Sequence, residues 1–229
     1  MTELVIVGAG PRAVMLVERL LARRAPGPLR ITLVDPFPPG AGRIWRREQS
    51  PLLKLNSMAR DVTVFTDESC TIAGPIRSGP SLIEWAERVR AGTLPDVAID
   101  DPEVDAELRS LRPDSFPTRR LQSAYLDWFW RRTVAIAPPG VEVRRHEGTV
   151  QWVDDTLDGY EVALADGIRL PADVLVYAMG HNAREPEDAV VALRDAAVGA
   201  GLTYVPPAFT ADADRSEERR VGKECRSRW

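Results

Sequence analysis

The feature that most constrains the fold is a glycine turn between an apolar run and a helical stretch, "LVIVGAGPRAVMLVERLL". Residues 4–7 are all apolar, which predicts a strand covered on both faces. From Pro11 to Arg24 the apolar residues recur at the spacing of one buried helix face. Residues 31–34 predict a second strand, so the chain opens with a β-α-β unit whose crossover is expected to be right-handed.

The glycine turn predicts a site for a dinucleotide. A strand that feeds such a turn into a helix leaves backbone N–H groups exposed at the helix N-terminus, where a pyrophosphate can bind. Gly8 permits the tight turn, Gly10 lets a phosphate approach without a β-carbon in the way, and Ala13 allows helix and strand to pack closely. Asp35 ends the second strand, where its carboxylate can accept hydrogen bonds from both hydroxyls of a ribose.

Two other interpretations of this turn stay open at the level of the motif. The glycines could serve only the packing of a plain strand-turn-helix unit. An S-adenosylmethionine-dependent methyltransferase also uses a glycine loop and an acidic residue after its second strand. Pro11 directly after the turn, and a β-meander that leads to a second glycine-ended strand, favour a dinucleotide over S-adenosylmethionine.

Between residues 36 and 119 the sequence is irregular and rich in Pro, Gly and Arg, with one clear helix. Ser81 and Glu84 form a capping box, which predicts a helix that continues to about Arg90. A longer helix is predicted from Thr118 or Arg119 to about residue 134. Its apolar and aromatic residues share one face and are expected in the core: Leu121, Ala124, Tyr125, Trp128 and Phe129.

From Val141 onward the hydrophobic period changes to two, which predicts strands. Asp-Gly pairs at residues 158–159 and 166–167 are typical of hairpin turns, so a strand followed by a small antiparallel meander is expected. Residues 174–178 predict a further apolar strand. A last helix is expected from about Glu187 to Ala200.

Composition narrows the class of protein. The chain has 229 residues with a net charge of -4, which argues against a general nucleic-acid binder. We expect no membrane association, because no apolar run is long enough to cross a bilayer and the N-terminus does not resemble a signal peptide. With 2 cysteines, far apart in sequence, a reducing cytoplasm is the expected location. No Cys/His cluster has the spacing of a zinc site, so no metal is predicted.

The C-terminal segment differs from the rest of the chain. Residues 215–229 read "RSEERRVGKECRSRW" and show no periodicity of helix or strand. We interpret this tail as either a disordered charged segment or a non-native read-through, and exclude it from the fold. The predicted domain therefore spans residues 1–210 and is expected to be incomplete at its C-terminus.

Several stretches resemble one protein family. "VIVGAGPRA" with "ITLVDP" is similar to the FAD-binding start of two-dinucleotide-binding-domain flavoproteins. "LPADVLVYAMGH" resembles their second signature, with Met179 in place of the usual Thr. "GAGRIWRREQSPLLKLN", "SLIEWAERV" and "FPTRRLQSAYLDWFW" resemble the FAD-NAD(P)-binding family, which is related to flavin N-hydroxylating monooxygenases. The resemblance covers about residues 3–205.

The resemblance implies the fold and the site residues. It implies an α/β fold, a partial Rossmann-like FAD-binding domain of the glutathione-reductase type, with a parallel sheet, a β-meander and an inserted helical segment. Glycine-turn residues would follow the pyrophosphate, Asn56 would lie near the isoalloxazine, and Val150 would pack on adenine. The cofactor-binding residues implied in this way are Gly8, Ala9, Gly10, Pro11, Arg12, Ala13, Asp35, Pro36, Gly42, Arg43, Trp45, Asn56, Val150, Ala178, Gly180 and His181.

The family also implies an activity that this chain is not expected to perform alone. The parent protein would be an FAD-dependent, NAD(P)H-using oxidoreductase of the monooxygenase kind, acting on a small-molecule substrate. No second glycine motif for NAD(P)H is found, so the chain is interpreted as a fragment without turnover of its own. A non-catalytic dinucleotide-binding module that uses FAD or NAD as a structural ligand or sensor is the alternative. No catalytic residue and no oligomeric state are predicted.

Overall fold

The computed structural model describes residues 1–24, 26–94, 96–97, 99–180, 187–202 and 204. The chain divides into two compact units, residues 1–180 and residues 181–229. The helices and strands, in order, are β1 (Thr2–Val7), α1 (Pro11–Arg23), β2 (Leu29–Val34), α2 (Leu82–Arg90), α3 (Pro102–Ser110), α4 (Arg119–Ala135), β3 (Val141–His146), β4 (Val150–Thr156), β5 (Gly159–Leu164), β6 (Arg169–Ala172), β7 (Val174–Tyr177) and α5 (Asp188–Gly199).

The first unit is built on a parallel sheet with the strand order β3-β2-β1-β7. Strands β1 and β2 are apolar and largely buried, and α1 packs its buried face on them. A second, antiparallel sheet has the order β4-β5-β6 and lies between β3 and β7 in the chain. This arrangement confirms the predicted α/β fold with its β-meander.

A helical segment is inserted between β2 and β3, and it has its own apolar core. The capping box of α2 is present, because the Ser81 hydroxyl accepts from the Glu84 N–H at 3.5 Å and the Ser81 N–H donates to the Glu84 carboxylate at 2.8 Å. The apolar face of α4 is buried against α2 and α3, as predicted. Tyr125 is fully buried and its hydroxyl donates to the carbonyl of Pro80 at 2.6 Å.

Helix α3 was not predicted from the sequence. Asp101 caps it, accepting from the N–H of Val104 at 3.3 Å, and Pro102 occupies the first helical turn. Val104 and Leu108 are buried in the helical core at the i, i+4 spacing. An Asp-Pro start followed by this spacing is a recognisable helix signal, but the helix is short and its surroundings are rich in proline and charge.

The second unit contains α5, and none of the described residues of this helix is buried. Its bounds agree with the predicted helix to within a residue at each end. Within the described part of the chain, no helix is long and apolar enough to span a membrane. The tail at residues 215–229 and the end of the predicted domain, beyond Tyr204, lie outside the described residues.

Candidate dinucleotide-binding site

The carboxyl ends of the parallel strands form a crevice beside β1. The chain passes from β1 through β2 to β3 on one side, and then returns to place β7 on the other side of β1. In open parallel sheets, ligands bind at such a reversal of strand order. Gly8 lies there with a φ of +104°, and a β-carbon on it would be 2.5 Å from the carbonyl oxygen of Ala178. Glycine at this position is therefore required by the protein itself.

Gly10 is different, because none of the described residues requires it to be glycine. Its φ is -68°, which any residue can adopt, and a β-carbon on it would meet no atom of the described residues within 4 Å. The open space beside Gly10 lies at the start of α1. A ligand that touches the backbone there explains the glycine, which fits the prediction that a phosphate approaches this residue.

The N-terminus of α1 is suited to an anion. Gly10 is the N-cap residue, no side chain in the described part of the chain caps the helix, and Pro11 begins the first turn. The first turn contains no acidic residue, and Arg12 is exposed in it. Ala13 is fully buried, as expected where helix and strand must approach closely. The positive end of the helix dipole therefore faces the crevice without a competing carboxylate in the turn.

The carboxylate of Asp35 has a structural role in the glycine turn. One carboxylate oxygen accepts from the N–H of Ala9 at 2.7 Å, and the other accepts from the N–H of Phe37 at 2.8 Å. The side chain therefore holds the glycine turn to the end of β2. A carboxylate offers about four lone-pair positions, so two remain for ribose hydroxyls. The sequence indicated the acidic residue but not its bonds to the backbone.

The loop after β2 folds back onto the glycine turn. The N–H of Gly40 donates to the carbonyl of Ala9 at 2.8 Å. A β-carbon on Gly42 would lie 2.8 Å from the α-carbon of Gly10, and the φ of Gly42 is +55°. Gly40 was not predicted from the sequence. Its φ is +88°, and a β-carbon on it would lie 2.6 Å from the carbonyl oxygen of Leu126, so glycine is required there as well. The resemblance implies Gly42 as a cofactor-binding residue, and the structure places it next to the glycine turn.

Beyond Gly42 the same loop carries Arg43 and Trp45, which are half-buried. The Trp45 N–H donates to the carbonyl of Ala41 at 3.2 Å, which continues the turn. The guanidinium carbon of Arg119, the first residue of α4, lies 5.4 Å from the centre of the Trp45 ring. Arg119 was not among the predicted site residues, because only the tertiary fold brings α4 to this loop.

Apart from His181, the remaining predicted residues lie on several separate segments of the first unit. Asn56 is exposed beside Leu55, whose N–H donates to the carbonyl of Pro117 at 2.8 Å. Val150 begins β4 and packs on the apolar cluster that includes Val34, one residue before Asp35. The other members are Pro36, exposed after β2, and Ala178 and Gly180, which follow β7. His181 lies outside the described residues.

The strand order, the glycine turn and the acidic end of β2 together define a Rossmann-type dinucleotide-binding domain. The sequence model of the FAD-NAD(P)-binding family matches residues 5–182, and the chain belongs to this family. The family description names FAD and NAD(P), which confirms the cofactors predicted from the sequence.

Curated relatives share more than a third of their residues with the chain in the matched region. An L-aspartate N-monooxygenase (nitrosuccinate-forming) of Streptomyces cremeus is 42% identical over 223 residues, 92% of this chain and 33% of the relative. The nitrosuccinic acid synthase npaA of Aspergillus oryzae is 38% identical over 218 residues, 92% of this chain and 31% of the relative. The chain thus spans about a third of the length of these relatives.

Solved structures with a similar chain path include flavoproteins. A flavin-containing monooxygenase from Stenotrophomonas maltophilia shares 19% identity with a TM-score of 0.47, covering 82% of this chain and 42% of that chain. The lysine monooxygenase NbtG from Nocardia farcinica shares 16% identity with a TM-score of 0.46, covering 99% of this chain and 74% of that chain. Both similarities are remote, and the strand order and the family match define the fold without them.

Proposed function

We propose that this chain is the FAD-holding part of an NAD(P)H-dependent monooxygenase that oxidises the amine of a small acidic amino acid. The family match supports the cofactor. The substrate class is carried over from the two L-aspartate N-monooxygenases, which are 42% and 39% identical to the chain. The sequence alone predicted a monooxygenase but not its substrate. The acidic amino acid comes from the names of the two relatives.

The observation that carries the proposal is the open space beside Gly10 at the positive end of α1. In this proposal the N–H groups of Arg12 and Ala13 bind the pyrophosphate, since Pro11 has no N–H to offer. Asp35 accepts from the ribose hydroxyls while it continues to hold the glycine turn. The hydrogen bond from the N–H of Ala9 to the carboxylate of Asp35, 2.7 Å long, would set the distance between the phosphate and the ribose.

The other half of the cofactor would lie along the loop that follows β2. Arg43 and Trp45 lie on this loop just beyond Gly42, and Asn56 is exposed farther along the chain. Val150 at the start of β4 supplies an apolar surface for adenine near the end of β2. FAD supplies the redox chemistry when bound, and the residues described here bind it and orient it.

A site that holds FAD in this way should bind FAD in preference to FMN. The purified chain is titrated with FAD, FMN and NAD, and binding is followed by calorimetry. FAD should bind, whereas FMN should not bind at the same concentrations, because FMN lacks the adenosine and the pyrophosphate that Asp35 and α1 would hold. Equal binding of FMN and FAD, or binding of NAD alone, would contradict an FAD site of this kind.

A test of the activity needs more than this chain, which spans 33% of the Streptomyces cremeus relative, so that relative supplies the rest. Residues 5–180 of this chain replace the matched third of the Streptomyces cremeus relative, and NADPH oxidation is measured with and without L-aspartate. The chimera should bind FAD and show aspartate-stimulated NADPH oxidation. A chimera that binds FAD but does not respond to L-aspartate would contradict the proposed substrate and leave the cofactor site intact.

A further inference from the structure

Arg119 is a partly buried cation without a carboxylate partner among the described residues. Its Nε atom is buried and has no hydrogen-bond partner within the described part of the chain. Burial lowers the pKa of Arg119, and no carboxylate acts on that pKa in the opposite direction. The next residue, Arg120, forms ion pairs with Asp101 and Glu103. Because an uncompensated buried charge is costly, the contrast between these neighbours points to a partner that the protein does not itself supply.

The position of Arg119 is fixed by its surroundings. Its backbone N–H donates to the carbonyl of Leu53 at 2.8 Å, and its guanidinium lies against the Trp45 ring. A planar guanidinium that rests on an aromatic ring keeps its edge free for a forked bond to an oxyanion. The side chain is therefore held in place before any ligand binds.

The helix end itself is already satisfied. The hydroxyl of Thr118 caps α4 by accepting from the N–H of Leu121 at 3.2 Å. The carboxylate of Glu107 accepts from the N–H of Thr118 at 2.7 Å and from its hydroxyl at 2.5 Å. An anion at this place would consequently be bound by side chains, with Arg119 foremost, and not by the open end of a helix.

Two buried amides provide a second observation. Gln49 is 5% exposed, and neither its amide nitrogen nor its amide oxygen has a hydrogen-bond partner among the described residues. Gln122 is 7% exposed, and its amide oxygen likewise lacks a partner in the described part of the chain. Gln122 follows Arg119 by three residues on α4, which places both on one side of the helix. Gln49 belongs to the segment that carries Trp45.

We propose that Arg119, supported by Trp45 and by the amide of Gln49, forms a binding site for a small oxyanion next to the dinucleotide crevice. The guanidinium supplies the charge and the forked donors, and the amide nitrogen of Gln49 supplies a further donor. Buried polar groups that lack partners in the free protein are satisfied when a ligand arrives. Neither the family match nor the names of the relatives assign a role to Arg119 or Gln49.

Two oxyanions accept a forked hydrogen bond from a guanidinium here: a carboxylate of the substrate or a phosphate of the cofactor. The first alternative rests on the proposed function and deepens it, because an acidic amino acid would bring its carboxylate to Arg119. The anion site itself does not depend on that function, so the anion site and the proposed substrate can be refuted separately.

The test is thermal unfolding of the 229-residue chain with succinate or pyrophosphate, compared with sodium chloride at the same ionic strength. A ligand that binds only the folded state raises the melting temperature. At least one of the two anions should raise it by a few degrees, and the anion whose shift is reduced in Arg119→Met identifies the source. Arg109→Met is the matched control, since Arg109 is an exposed arginine at the end of α3 that pairs with Asp105.

Arg119→Met should melt at the same temperature as the wild type or higher in the absence of anion, because it removes an uncompensated buried charge. Its anion-induced shift should also be smaller than that of the wild type, because only the α1 site remains for pyrophosphate, whereas Arg109→Met should keep the full shift. If Arg119→Met does not fold, Gln49→Leu serves instead, with the same pair of expectations. No shift of the wild type with either anion, or an equal shift in the wild type and the variant, would overturn the proposal.

Discussion

Gly42 packs directly on Gly10, so closely that a β-carbon on Gly42 would lie 2.8 Å from the α-carbon of Gly10. The loop that follows β2 therefore presses on the turn that follows β1. Gly42 must be glycine because backbone atoms of the protein leave no room for a β-carbon. A β-carbon on Gly10, by contrast, would meet no described atom within 4 Å.

We predict that Gly42→Ala destabilises the fold and weakens FAD binding together. The substitution places a β-carbon against backbone atoms and leaves an alanine in the left-handed region, which alone costs about 1–2 kcal/mol. Gly92→Ala is the control, because Gly92 has a φ of +69° but a β-carbon there would meet no described neighbour within 4 Å. Urea unfolding and FAD titration should show a loss of stability in both variants and a loss of affinity only in Gly42→Ala. Unchanged FAD affinity in folded Gly42→Ala would separate the loop from the site.

Asp35→Asn should weaken FAD binding by about 10- to 100-fold, because a hydrogen bond to a charged group contributes about 1.5–3 kcal/mol. It should also lower the melting temperature, since Asp35 accepts the N–H groups of Ala9 and Phe37. Asp173→Asn removes a comparable carboxylate, which accepts the Glu3 N–H at 2.7 Å in the first half of β1. That control should lower stability without changing FAD affinity. Equal FAD affinities in the two variants would remove Asp35 from the ribose site.

The capping box of α2 predicts an acid-sensitive contribution to stability. Hydrogen bonds from the Ser81 backbone and hydroxyl lower the pKa of Glu84 below its ordinary value of 4.5. A carboxylate with a lowered pKa in the folded state stabilises the protein above pH 4.5, and this stabilisation is lost as the pH falls through the folded-state pKa.

Ser81→Ala should therefore cost about 1 kcal/mol at neutral pH, with a smaller loss at pH 3.5. Urea unfolding at the two pH values measures the difference. Glu84→Gln keeps a side chain that can complete the capping box but removes the titrating charge, so its stability relative to the wild type should improve on acidification. A cost of Ser81→Ala that does not change with pH would show that Glu84 does not contribute through its charge.

The parts of the fold that the sequence predicted are those governed by local pattern. The β-α-β start, the capping box of α2 and the Asp-Gly hairpins each depend on neighbouring residues, and each is present in the structure. The place of β7 beside β1 was not predicted, because a four-residue apolar strand does not by itself specify its partner.

The parts that the sequence did not predict depend on contacts between distant residues. Asp35 was identified from its place after β2, but its bond to Ala9 exists only once the two strands are paired. The guanidinium of Arg119 reaches the Trp45 ring only once α4 lies against the loop that carries Trp45. Charged and amide side chains are exposed in most proteins, so no local pattern indicates that Arg119 and Gln49 have buried polar atoms.

The most direct test of the account compares FAD binding by the wild type, Gly10→Val and Gly27→Val. At either glycine a β-carbon would meet no atom of residues with a described position within 4 Å, but Gly27 lies before β2, at the opposite end of the sheet from the crevice. Calorimetry should show FAD bound to the wild type and to Gly27→Val. Gly10→Val should fold with an unchanged circular dichroism spectrum and bind FAD at least about 100-fold more weakly, because its side chain fills the approach of the pyrophosphate. A folded Gly10→Val protein that binds FAD as tightly as the wild type would contradict the account.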